Sequence, residues 1–140
     1  MGKRTWIDSD IWADTDDLNL TEKVFYLYLL TNSQRNIAGY YRFNIRYAVL
    51  DLGMADDHIE ALLERKQKYW LYDRETGQVL IPKFTKYNIV KSKQQYAKLN
   101  AELNDLKPSP LHKLFIRSWE EVNGIGSVEM LDEKFKSKAY

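Results

Sequence analysis

A mostly α fold with one small β-hairpin is what this sequence predicts, on three observations. An apolar helix, two short amphipathic helices and a strand–turn–strand follow one another between Leu18 and Phe84, the order in which a winged helix-turn-helix is written. Beyond residue 90 the apolar residues recur only at helical spacing, which adds a C-terminal helical extension. Charge is also segregated: positions 7–64 hold eleven acidic and four basic residues, whereas positions 65–117 hold twelve basic and four acidic. The expected organisation is a winged-helix domain over residues 1–90 and a helical extension over 91–140.

Each element follows from local chemistry. Trp6, Ile7, Ile11 and Trp12 lie in an acidic stretch that reads as a turn or one helical turn, with both Trp expected to pack on the core. Leu20-Thr21 reads as a helix start, Thr21 capping and Leu20 stapling against Phe25. Val24 to Leu30 is apolar all round, which predicts a central helix covered on most sides. Gly39 to Phe43 is short, aromatic and Gly-led, a small strand. Asn44 caps a second helix with Ile45, Ala48, Val49 and Leu52 on one face, and Gly53 stands at its C-terminal end. A third helix starts near Asp56, with Ile59, Leu62 and Leu63 inward and Trp70 beyond.

Strands over Trp70–Asp73 and Gln78–Phe84 flank the turn Arg74-Glu75-Thr76-Gly77, whose last residue suits positive φ. Pro82 places its strand at an edge or a bulge. From Ser92 a helix carries Tyr96, Leu99, Leu103 and Leu106 along one seam, either internal packing or a self-association face. Ser109 and Pro110 open another helix bearing Leu111, Leu114, Phe115, Trp119 and Val122, stopped by Gly124 and Gly126. Val128, Leu131 and Phe135 support a last helix.

Composition bounds the function. With 140 residues, 44% apolar, and four Trp, ten Tyr and five Phe, the chain supports an ordinary core. There is no cysteine, so disulfides and thiolate metal sites are excluded and a reducing compartment is the simple expectation. The longest apolar run, Val24 to Leu30, is far short of the ~20 residues that span a bilayer. The stretch from Met1 to Trp6 lacks a signal-peptide core, so a cytoplasmic location is expected, with no membrane partner. An enzyme is not expected: His58 and His112 lie far apart, and no phosphate-loop, dinucleotide, nucleophile-elbow or zincin motif occurs. Neither a metal nor a cofactor is implied; Asp14, Asp16 and Asp17 lack the Gly and distant Glu of a calcium loop.

The basic segment points to a polyanion. Lys83, Lys86, Lys91, Lys93 and Lys98 occur with no acidic residue from Thr76 to Ala101, and Tyr87 and Tyr96 lie among them. Ammonium groups neutralise a phosphate backbone while rings stack on bases or sugars, although a solvated helix is often Lys-rich too. The third helix fits base reading poorly, because its first turns carry Asp56, Asp57 and Glu60, which repel phosphates. Contacts to duplex DNA are therefore expected from Arg46, from Arg65 and Lys68 at the helix end, from Arg74 and Lys83 on the wing, and from Lys86, Lys91 and Lys93. The bland alternative is a wet face, with Lys68 pairing Glu64 four residues earlier. A sequence-specific transcription regulator would need base contacts from the third helix, which its acidic start opposes.

Four stretches carry a family resemblance: Ile11-Trp12-Ala13-Asp14, Lys23 to Asn32, Gly39-Tyr40-Tyr41-Arg42 and Lys86-Tyr87-Asn88. Over roughly positions 4 to 92 they resemble the N-terminal region of phage and prophage replisome organisers, the DnaD-like replication initiation proteins. The resemblance implies a winged helix that binds origin DNA or self-associates as a homo-oligomer, joined to a domain that recruits helicase-loading proteins. It implies no catalytic residue. The rival expectation is a protein-interaction or oligomerisation module on the same scaffold, built on Tyr96, Leu99, Leu103 and Leu106.

Overall fold

The computed structural model describes residues 4–139; Met1–Lys3, at the start of the expected winged-helix domain, and Tyr140, at the end of the extension, lie outside them. The fold is mostly helical with a small antiparallel sheet. One helical turn, α1 (Ile11–Asp14), leads to α2 (Leu20–Thr31), then β1 (Tyr40–Arg42), α3 (Ile45–Leu52) and α4 (Asp56–Glu64). The hairpin β2 (Leu71–Asp73) and β3 (Gln78–Leu80) follows, then α5 (Phe84–Tyr87), α6 (Lys93–Asn104), α7 (Leu111–Asn123), a 3-10 segment (Ile125–Met130) and α8 (Glu133–Ser137). Among the described residues no helix is long and apolar enough to cross a membrane.

Helix ends obey their caps. Asn44 Oδ1 accepts the Arg46 N–H and opens α3, which Gly53 closes. Ser92 and Gln95 form a reciprocal box at the start of α6, and Ser109 Oγ accepts the Leu111 N–H at the start of α7. Thr21 does not cap α2. Asn19 does, because Glu22 three residues on can return the bond, whereas Thr21 has Val24 at that position. Leu20 is thereby placed inside the helix and exposed, stapling nothing.

The strands lie in the order β1–β3–β2, with Tyr40 and Leu71 both opposite Leu80. The 74–77 turn has the expected form, Gly77 at φ +70° with its N–H bonded to Asp73 O. β3 ends at Leu80, short of Phe84, and is the central strand. Pro82 falls past its end, where it removes no ladder bond, so no edge placement is needed.

Both faces of this sheet are covered. Tyr41, Val79 and Ile81 join Phe25, Leu29, Ile59, Leu62, Leu63 and Trp70 in one apolar cluster under α2, α3 and α4. Tyr40, Leu80 and Val90 join Leu99, Leu103, Phe115, Trp119 and Phe135 in a second cluster under α6, α7 and α8. Residues after 90 are therefore not an appendage on a finished domain; they form the third layer and complete the core. Self-association through the Tyr96 seam is corrected on the same ground. Leu99 and Leu103 are fully buried, Leu106 nearly so, and Tyr96 packs edge-on to Trp119, so intramolecular packing consumes that face.

Two motifs of the family resemblance interlock in the first cluster. Tyr41 Oη donates to Leu29 O, and Asn32 Nδ2 donates to Tyr41 Oη, tying the end of α2 to β1. Gly39, at φ +69°, lets Phe84 lie directly on the backbone: a Cβ there would run into the Phe84 Cβ. That close approach fixes where α5 leaves the sheet.

Candidate nucleic-acid interface

The N-terminal arm is held at the end of α5. Trp6 N–H donates to Asn88 Oδ1 at 2.7 Å, and Asn88 Nδ2 donates back to Trp6 O at 3.2 Å. A side-chain amide thus imitates a strand partner and pins the arm by its backbone. The ring of Trp6 stays 77% exposed and Trp12 stays 53% exposed, so neither packs on the core as expected. On a single helical turn, neighbouring residues diverge by ~100°, so only one of Ile11 and Trp12 can face inward, and Ile11 does. The Trp12 ring lies instead near the Lys23 ammonium, 5.9 Å from its centroid.

Two clefts flank this arm and share a wall of Trp6, Phe84, Tyr87 and Asn88. The first, about 540 Å³, carries Lys68, Lys83 and Lys86 beside Tyr26 and Tyr69, with Asp8 and Asp14 on its rim. The second, about 700 Å³, carries Arg4, Arg35, Lys91 and Lys98, and among the described residues no carboxylate lines it. Lys86 Nζ stands 5.4 Å from the Tyr87 ring centroid and Lys68 Nζ 5.5 Å from that of Tyr69, which orients each ammonium along its ring. Burial pushes the Tyr26 phenol up to about 12. Burial, then the hydrogen bond it donates to Asp17, raises Tyr69 as well, so both walls stay neutral.

Lys83 is the one non-glycine residue with positive φ among the described residues, at +64°. Its N–H is satisfied by Ser118 Oγ, so α7 holds the turn that carries this lysine. The Lys83 side chain remains exposed.

Compared with protein families, curated proteins and solved structures, the chain matches none.

The expected contact residues divide. Lys68, Lys83, Lys86 and Lys91 come together around the shared wall. Arg65 does not join them: it pairs with the buried Glu22 carboxylate at 2.9 Å. The Asn19 backbone N–H bonded to Glu22, and then Arg65, hold that carboxyl below its ordinary value. Arg74 turns back on α4, 3.4 Å from Glu60 and 3.7 Å from Glu64. The pairing of Lys68 with Glu64 is thereby replaced, because α4 ends at Glu64 and Lys68 lies past the helix. Arg46 is exposed on α3 and Lys93 on the first turn of α6; neither lines a cleft.

Sequence reasoning missed Arg4, Arg35, Trp6 and Asn88 as members of this surface. Arg4 and Trp6 place a cation two residues from a ring in the arm, much as Lys86 and Tyr87 set one beside a ring in α5, a signal that could have found them. Arg35 carries no such signal: it is buried, only 6% exposed, in the loop after α2.

Proposed function

We propose that this chain is a DNA-binding winged-helix protein of phage or bacterial replication initiation, and that it holds DNA by the clefts around Trp6 and Tyr87. The succession α2, β1, α3, α4 and the β2–β3 hairpin supports the winged-helix assignment. The single observation that carries DNA binding is the gathering of Lys68, Lys83, Lys86, Lys91 and Lys98 with Arg4 around two clefts that share one aromatic wall. That surface can neutralise a polyanion. The exposed face of α4 cannot, since it offers Asp56, Asp57 and Glu64. The replication-initiation part rests on the resemblance of the Leu29–Asn32 and Gly39–Arg42 motifs, and it makes helicase-loading proteins the partners to seek.

The test is fluorescence anisotropy with labelled DNA at two salt concentrations. If about four cations meet phosphates, affinity falls roughly a hundredfold between 50 and 200 mM salt. Changing Lys68, Lys83, Lys86 and Lys91 together to Gln weakens binding to all sequences alike and flattens the salt dependence. No binding of any DNA at the lower salt overturns the proposal. A second reading, an interaction module, is favoured by Tyr47 and Leu50 on α3, 52% and 79% exposed. Light scattering on the same samples separates the two, since a stable oligomer without DNA affinity supports the module.

A further inference from the structure

Resting on the nucleic-acid reading above, we propose that the paired clefts take a single-stranded polynucleotide, its bases stacked on Trp6 and Tyr87 and its phosphates against the flanking cations. The two rings stand on the shared wall, so a chain crossing it meets an aromatic face with cations on either side. Those are Lys83 and Lys86 in one cleft, Lys91, Lys98 and Arg4 in the other. Trp6 is presented rather than trailing: both of its backbone polar groups are bound by Asn88 while its ring is left to solvent. Tyr87 is 41% exposed beside it and Ile89 52%, an apolar strip inside a cationic surface. Such a strip matches the alternation of a polynucleotide, apolar base faces between charged phosphates.

Access to base faces selects the single strand. A duplex keeps its base faces stacked inside and offers a phosphate-lined exterior, so rings exposed on the wall between the clefts reach none of them. An unpaired strand has every base face available, and stacking on rings in a positive groove tolerates any sequence. The cleft volumes, about 540 and 700 Å³, are those of sites that enclose organic ligands. The element that would enter a major groove, α4, exposes acidic residues instead.

The experiment uses the full chain and a labelled oligonucleotide of about 15 residues, as single-stranded DNA, as the same sequence in RNA, and as blunt duplex DNA. Single strands are expected to bind at least about tenfold more tightly than duplex. Trp6→Ala and Tyr87→Ala are each expected to weaken single-strand binding at least about fivefold without changing the salt slope. Tyr87→Trp keeps the affinity, and Lys86→Gln lowers the slope by about 0.7. Both rings are exposed, so each variant tests the site by itself. Equal affinity for DNA and RNA supports the shared chemistry, and a preference assigns the sugar. Duplex binding as tight as single-strand binding, or ring variants that bind as the parent does, overturns this inference and leaves DNA binding standing. No binding to any of the three overturns both.

Discussion

Lowering the pH from 7 to 5 is expected to destabilise the fold through His112. This histidine lies at the start of α7 with no solvent exposure, stacked on Phe135 at 4.6 Å between centroids and edge-on to Tyr40. Its Nδ1 lies 2.7 Å from Tyr40 Oη, while Nε2 meets no hydrogen-bond partner among the described residues. Burial, and then the charge of Lys138, hold its pKa down at about 4, against 6.5 for a free side chain. The folded chain therefore keeps the ring neutral where the unfolded chain protonates it. Its contribution is present above pH 6.5 and is lost as the pH falls toward 4. The loss comes to about 2 kcal/mol at pH 5 and about 3 kcal/mol at pH 4. Urea unfolding at pH 7, 6 and 5, followed by Trp fluorescence, measures it, with His112→Phe as the reference. Phenylalanine keeps the stack on Phe135 and cannot titrate, and Tyr40 Oη retains the Gln78 amide. Carboxylates held low in the fold, such as Asp73, steepen both curves alike below pH 5. Parallel curves for parent and variant would refute the reasoning.

Two further perturbations probe what supports the clefts. Arg65→Ala leaves the Glu22 carboxylate buried without its cation; since Arg65 is half exposed, the expected cost is about 1–2 kcal/mol in a urea melt, with DNA affinity unchanged. Gly39→Ala forces a Cβ into Phe84 at a left-handed backbone position, for about 2–4 kcal/mol in thermal unfolding. Because Phe84 opens α5, the same change is expected to lower DNA affinity measured by anisotropy, which Arg65→Ala does not.

What was legible in the sequence is what local chemistry decides. Asn44, Gly53 and Ser92 mark helix ends through bonds to residues a few positions away, so α3, α4 and α6 lie where spacing put them. The second face of the sheet was hidden, although Tyr40-Tyr41 and Val79-Leu80-Ile81 show no polar alternation, the mark of strands covered on both sides. The candidate site was half legible. Lys83, Lys86 and Lys91 announce themselves as an acid-free run, but the removal of Arg65 and Arg74 depends on Glu22, Glu60 and Glu64, which approach only in three dimensions. The arm was misjudged for a related reason: Trp6 is fixed through its main chain by Asn88, which hydrophobicity does not encode.

On α6, Lys98 edges the second cleft and Leu99, its neighbour, is completely enclosed in the outer core. One helix thus serves as embankment and as foundation. A ligand gripping Lys98 would brace the layer that Leu99 anchors, and through Tyr40 and Leu80 that layer leans on the sheet supporting α5 and Lys86. Occupancy and folding are then linked by mass action: saturating ligand raises the melting temperature of the whole molecule, and loosening the distant α8 layer loosens its grip.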